Sequence, residues 1–160
     1  IVRAMPNRPA LIGAGITALY AGNGIAARDR EDVEALMSAA GSTVWLDQES
    51  QMDVVTAISG SGPAYFFLLI EALESAGVAS GLPAATARRL AIETARGAGL
   101  MAAQGGETPA VLREQVTSRG GTTEAALQVL EAAAVSDTFR SAVAAAARRS
   151  AQLADEFGST

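Results

Sequence analysis

The sequence contains no cysteine, no histidine and no lysine; all 12 of its basic residues are arginine. Those absences exclude a Ser-His or Cys-His nucleophile, a His/Cys metal site, a lysine Schiff base and a phosphate-loop lysine within these 160 residues. A disulfide framework is excluded as well, although nothing here argues against a reducing compartment. Chemistry in this chain must therefore use carboxylates, arginines, hydroxyls, amides or backbone N–H groups. Aromatic residues are only 4% and charged residues 18%, with 17 acidic side chains giving a net charge of -5. The acidic balance argues against a general nucleic-acid binder. No uninterrupted apolar run reaches the roughly 18 residues of a membrane span. The opening residues, Ile1 to Asn7, carry no signal-peptide pattern and no initiator Met, so the chain reads as cut from something longer.

What is present is apolar but small. Hydrophobic residues make up 49%, and 36 residues are alanine. That is the composition of a chain that buries a core of closely packed helices, not of a disordered one.

Two regimes follow one another. Up to about residue 58, Ile16–Ala21 and Ser42–Leu46 read as strands, being β-branched or aromatic runs bounded by glycine. Between them Asp29–Ala40 reads as a helix, with Val33, Leu36, Met37 and Ala40 at helical spacing and Gly41 as its stop. Strand, helix, strand suggests the end of an α/β sheet. Asp47, Glu49 and Asp53 read as an acidic, solvated linker. From residue 59 every segment reads helical: 62–76 with Ser61 as N-cap and Pro63 in the first turn, 83–103, 108–116, 122–134, and a last helix from Ser136 or Asp137. The segment Ala64–Ile70 is apolar on all sides, which requires cover from every direction. The later helices are thin in large side chains, so a second copy, intertwined, is expected to supply that cover. Gly97 and Gly99 suggest close approach by another helix. Arg88-Arg89 and Arg148-Arg149 read as solvated faces.

Three stretches could carry chemistry. Thr117-Ser118-Arg119-Gly120-Gly121-Thr122-Thr123-Glu124 aims hydroxyls and free N–H groups at one point, suited to a small carboxylate, or is a plain turn with an N-cap threonine. Ser59-Gly60-Ser61-Gly62-Pro63-Ala64-Tyr65 is a hinge capped onto a helix, or a loop whose backbone approaches a ligand. Arg3-Ala4-Met5-Pro6-Asn7-Arg8-Pro9 reads as a strand end turning into a loop, where α/β sheets bind ligands, or as a bland turn. No strand followed by Gly-x-Gly-x-x-Gly occurs.

Taken together and in this order, the three stretches resemble pyrroline-5-carboxylate reductase. Gly81-Leu82-Pro83, the 107–115 segment and Ala126-Leu127-Gln128-Val129-Leu130-Glu131 share the likeness, which runs from residue 1 to about 153. The resemblance implies a mainly α chain: an all-α helical dimerisation and substrate-binding domain over 59–160, preceded by the last strands and helix of a Rossmann-type domain over 1–58. It implies a cytoplasmic enzyme of proline biosynthesis that reduces 1-pyrroline-5-carboxylate to L-proline with NADPH or NADH. It implies an interlocked homodimer, a unit that the family also builds into rings of dimers, with each site formed between the cofactor domain of one subunit and the helical domain of the other. The substrate carboxylate is expected on Ser118 Oγ and the N–H groups of Gly120, Gly121, Thr122 and Thr123, and the Thr123 hydroxyl beside the imine nitrogen as the catalytic group. Met5, Pro6, Asn7, Glu49, Ser61, Pro63 and Gln115 are the cofactor-binding candidates; no metal is implied. The family usually has proline where this chain has Arg119. Two other readings stand beside this one: a catalytically incomplete all-α dimerisation module, and the C-terminal domain of another two-domain dehydrogenase. The latter often uses a lysine, which this chain lacks.

Overall fold

A computed structural model describes residues 1–158. By its contacts the chain divides into one unit of Ile1–Tyr65 with the residues from Arg140 onward, and a second of Phe66–Phe139.

The first unit is built on a three-stranded sheet of order β1-β2-β3 (β1 Val2–Pro6, β2 Gly15–Ala21, β3 Gly41–Trp45). β1 runs antiparallel to β2, with Met5 opposite Ala18; β2 and β3 are parallel, joined through helix α1, Ala27–Ser38. The strand-helix-strand reading thus holds, with bounds shifted by one or two residues. Asp29 sits in the first turn of α1, where the helix dipole favours it. Glu34 of α1 accepts from Thr43 Oγ1 and Trp45 Nε1 at 3.3 and 3.2 Å, and the Arg30 guanidinium lies 4.1 Å from the Trp45 ring centroid. Thr17, Ala18 and Leu19 in the central strand form the buried centre, with Met52 and Ala57. Gly41 has φ +140, and a Cβ there would run into the Gly15 backbone.

The acidic linker expected around Asp47–Asp53 is instead mostly helical. Glu49–Gln51 forms a 3₁₀ turn, started by the Gln48 N–H donating to Gln51 Oε1 at 3.1 Å. It runs into α2, Met52–Val55, then a π-helical turn, Thr56–Gly60, then α3, Gly62–Ala79. Asp53 accepts from Ser150 Oγ at 2.7 Å, a bond between residues 97 apart in sequence. Ser61 is therefore not an N-cap: its φ of -81 and ψ of -25 are helical, and its N–H donates to the Thr56 carbonyl five residues back. Pro63 lies inside the continuous run, not at a helix start. A proline there has no N–H to give and crowds the carbonyl four residues earlier, and the wider π turn ends just before it. The irregular turn leaves carbonyls that hydroxyls take up: Ser59 Oγ donates to Val55 O, and Tyr65 Oη to Ala57 O.

The run Glu49–Ala79 is 31 residues, long and apolar enough by length and composition to cross a membrane. Counting uninterrupted apolar residues overlooks this, because scattered polar residues break the count without lowering the average enough. The expectation that Ala64–Ile70 is surrounded is not met within one chain: Phe66, Phe67 and Leu68 are about two-thirds exposed.

The second unit contains the rest of α3, then α4 (Ala84–Ala103), α5 (Pro109–Gln115), α6 (Thr122–Ala132) and the start of α7 (Val135–Gly158). Ala87 and Ala91 are its buried side chains among the described residues. Close helix approach occurs at Gly77, where a Cβ would come 3.0 Å from Ala87 Cβ; around Gly97 and Gly99 there is open space, contrary to expectation. Arg88 pairs with Glu74 at 2.8 Å, which raises its pKa through that hydrogen bond and charge.

Two glycines separate backbone obstruction from side-chain obstruction. Gly41→Ala should destabilise the protein by about 3 kcal/mol, from the strained φ and the immovable Gly15 backbone. At Gly60 a Cβ meets the terminal methyl of Met5 at 2.9 Å and, at an ordinary contact distance of 3.7 Å, the Thr56 methyl. Gly60→Ala should stay within about 1 kcal/mol of wild type, the helix-propensity gain offsetting the shift of a flexible end. Urea unfolding midpoints check both.

Candidate functional site

The double-glycine loop joins α5 to α6. Thr108 caps the start of α5 by accepting from the Val111 N–H at 3.3 Å. At the other end Thr117 Oγ1 donates to Arg113 O at 2.6 Å and the Thr117 N–H to Glu114 O. The chain then turns: the Gly121 N–H donates to Ser118 O at 3.0 Å. Gly120 has φ +72, while Arg119 is not among the residues of positive φ. An i to i+3 bond with positive φ at the third position alone is a type II turn.

The N-cap of α6 is Gly121, not a threonine; Thr122 and Thr123 are its first two residues. Their N–H groups have no acceptor among the described residues, as the first turn of a helix dictates. Two of the four expected carboxylate donors are already engaged. Besides Gly121, the Gly120 N–H donates to Glu124 Oε2 at 2.7 Å. Ser118 Oγ lies where a Cβ on Gly121 would have to go, so a methyl there must displace that hydroxyl. Ser118, Thr122 and Thr123 thus lie in sequence around a helix start whose first amides are open, a focus of positive potential suited to a carboxylate. Gln115 closes α5 three residues before Ser118. A cleft of about 280 Å³ between α5 and α6 is lined by Arg113, Glu114, Thr117, Glu124 and Gln128 among others. The sequence reading gave Glu124 no role; a carboxylate at the third position of a helix that follows a double glycine was the available signal.

The remaining candidates belong to the first unit. Asn7 Oδ1 accepts from the Ile16 N–H at 2.9 Å, which ties the end of β1 to the start of β2. Met5 reaches Gly60, so the strand end meets the π turn beside Ser61. Glu49 Oε1 pairs with Arg3 at 2.6 Å. Arg3 and Met5 share one face of β1, since alternate strand residues do. With Arg3, Tyr20, Gly22 and Asn23, Glu49 also lines an open cleft of about 550 Å³. Pro6 is the last residue of β1, and Pro63 follows the π turn.

The profile of the pyrroline-5-carboxylate reductase dimerisation family matches residues 49–153. The chain belongs to the pyrroline-5-carboxylate reductase family. It is 48% identical to the pyrroline-5-carboxylate reductase of Pseudomonas aeruginosa over 158 residues, which cover 99% of this chain and 58% of that protein. A solved reductase from Coxiella burnetii superposes with a TM-score of 0.93 at 42% identity, covering 96% of this chain and 57% of the other. One from Plasmodium falciparum, solved with NADP bound, gives 0.84 at 34% identity, over 94% and 61% of the two chains. The chain thus spans less than two-thirds of the length of these relatives.

A dinucleotide fits this chain only in part. The end of β1 meets the π turn through the Met5 side chain packed on Gly60, whereas a glycine-rich strand-to-helix turn for a pyrophosphate is absent from the sequence.

Gly121→Ala should destabilise the protein by about 1 kcal/mol by displacing Ser118 Oγ. In a Ser118→Ala background that cost should shrink, since only the Ser118 backbone then opposes the new methyl. A double-mutant cycle of unfolding free energies measures the coupling.

Proposed function

We propose that this chain is the substrate-binding and dimerisation portion of a pyrroline-5-carboxylate reductase. In this reading the enzyme is soluble and cytoplasmic, and reduces 1-pyrroline-5-carboxylate to L-proline, the last step of proline biosynthesis. The division at 58/59 marks the end of the Rossmann-type part and the start of the helical part, whose residues 159–160 lie outside the described residues. The observation that carries the reading is the start of α6. The Thr122 and Thr123 amides are unengaged there, among the hydroxyl residues Ser118, Thr122 and Thr123, in a family whose relatives bear the reductase name.

The substrate is a cyclic imine with one carboxylate. Its carboxylate takes the Thr122 and Thr123 N–H groups and Ser118 Oγ, while Gly120 and Gly121 shape the turn that presents them. Held there, the ring keeps its nitrogen beside Thr123 Oγ1, which donates a hydrogen bond as that nitrogen gains electron density and can relay a proton to it. An imine is basic enough to arrive protonated, so no strong enzymic acid is needed, consistent with a chain without histidine or lysine. Positioning and fixed dipoles supply the rate. NADPH or NADH, when bound, supplies the hydride for the C=N carbon. Met5, Pro6 and Asn7 lie along its cleft, with Glu49 a further contact; Ser61 and Pro63 border its nicotinamide side, and Gln115 reaches it from the other subunit.

A homodimer supplies the cover that α3 lacks in one chain. The exposed stripe Phe66, Leu69 and Leu73 repeats at helical spacing and suits a second copy of the same helix. Each site then draws its cofactor residues from one subunit and its double-glycine loop from the other; a ring of such dimers is the further assembly.

Thr123→Ala in the full-length protein should lower kcat/KM about 10- to 100-fold with folding intact, as loss of one transition-state donor does. Wild-type steady-state kinetics would remove Thr123 from the catalytic role. The 160-residue chain alone should sediment as a dimer at micromolar concentration, yet titrate with NADPH only weakly by fluorescence. A stable monomer would refute the assembly, and tight NADPH binding the partition of the cofactor site.

A further inference from the structure

The geometry points to Glu124 as a positioning residue that sets which way the Arg119–Gly120 peptide faces, and so the polarity of the substrate-carboxylate site; this rests on the reading of the double-glycine loop given above. Type I and type II turns differ by a flip of the central peptide through about 180°. In the turn Ser118–Gly121 that peptide joins Arg119 to Gly120. Its N–H is held by Glu124 Oε2 at 2.7 Å, a charge-assisted bond across four residues. Glu124 itself is anchored as the third residue of α6, half-buried, so the acceptor is carried by a rigid helix turn.

The turn by itself allows both orientations. The Gly121 N–H to Ser118 O bond is common to both turn types. The φ of Arg119 is alike in the two, and Gly120 has no Cβ to oppose either the positive φ it holds, +72, or the negative φ of the flipped turn. A flipped peptide would bring the Arg119 carbonyl oxygen to the side where the Gly120 N–H now lies. That is the side of the α6 start, where the Thr122 and Thr123 amides wait for an anion. The carbonyl dipole would then oppose a carboxylate in place of the N–H dipole that favours one. Glu124 therefore acts on the substrate through the peptide, not by touching it.

The charge of Glu124 and its role as acceptor pull in opposite directions. As a negative charge it repels an incoming carboxylate; as an acceptor it keeps the favourable dipole in place. Glu124→Gln removes the charge and keeps an acceptor of the same length. Glu124→Ala removes both. Both variants are made in the full-length protein, with melting temperature as the control for folding. Each is assayed with 1-pyrroline-5-carboxylate and with 1-pyrroline, the same imine without the carboxylate, and exchange of the Gly120 amide is followed.

The Gln variant should keep Gly120 protected and hold KM for 1-pyrroline-5-carboxylate at or below the wild-type value. The Ala variant should free the Gly120 amide and raise that KM about tenfold over Gln, the scale of one lost favourable contact. KM for 1-pyrroline should be equal in the two variants. Equal Gly120 exchange in Ala and Gln would overturn the inference while leaving the loop as the carboxylate site. A freed Gly120 amide with neither KM altered would instead take the carboxylate away from this loop, and the reading of the site would fall with the inference.

Discussion

The constraint on which this molecule turns is where its few large side chains are placed. Four phenylalanines, two tyrosines and one tryptophan are all the aromatics it has, and alanine supplies most of the apolar count. Two of those phenylalanines, with the leucines beside them, lie exposed on α3. The buried side chains are mostly small: Ala18, Ala57, Ala87 and Ala91, with Leu19 and Met52 the larger exceptions. At roughly 25 cal/mol per Å² of apolar surface, small side chains contribute little each. The helices of one chain therefore approach closely, as Gly77 and Ala87 do, without enclosing the aromatic helix. The described residues of one chain leave it uncovered, so in the proposed homodimer assembly is part of the fold and not an addition to it.

The loop between α5 and α6 shows the opposite economy. There the chain engages several of its own groups. Thr117 closes α5, Ser118 accepts from Gly121, and Glu124 accepts from Gly120. What remains open includes the amides of the first turn of α6, which a helix start cannot satisfy from within the helix. A loop ordered in advance loses little conformational freedom when a ligand arrives. The site is thus defined as much by the donors already engaged as by those left over.

Much of this was legible in the residues. The β2, α1, β3 order followed from β-branched and aromatic runs bounded by glycine and from helical spacing between them, and Thr108-Pro109 marked the start of α5. The double glycine followed by two threonines marked the site candidate, and its likeness to one family gave it chemistry. The segment 47–61 was not legible. Three acidic residues suggested solvent, but Asp53 is held by Ser150, a partner nearly a hundred residues away. Ser61 and Pro63 looked like a helix start because those residue types favour one, and the π turn that lets the helix pass through them has no period in the sequence. The roles within the glycine loop were hidden for a related reason. Residue types announce that amides are free, but only backbone geometry tells which of them already have partners.

The π turn has one more consequence, for length changes in evolution. A π turn is in effect an α-helix with one residue added. Each residue of an α-helix advances about 100° around the axis, and each residue of the wider turn advances less. Losing a single residue between Thr56 and Gly60 would therefore restore ordinary helix and leave the segments on either side facing nearly as before. The same loss in a regular stretch of the helix would rotate everything beyond it by the full angle. This turn is thus the place where the helix can shed a residue without redirecting its apolar stripe.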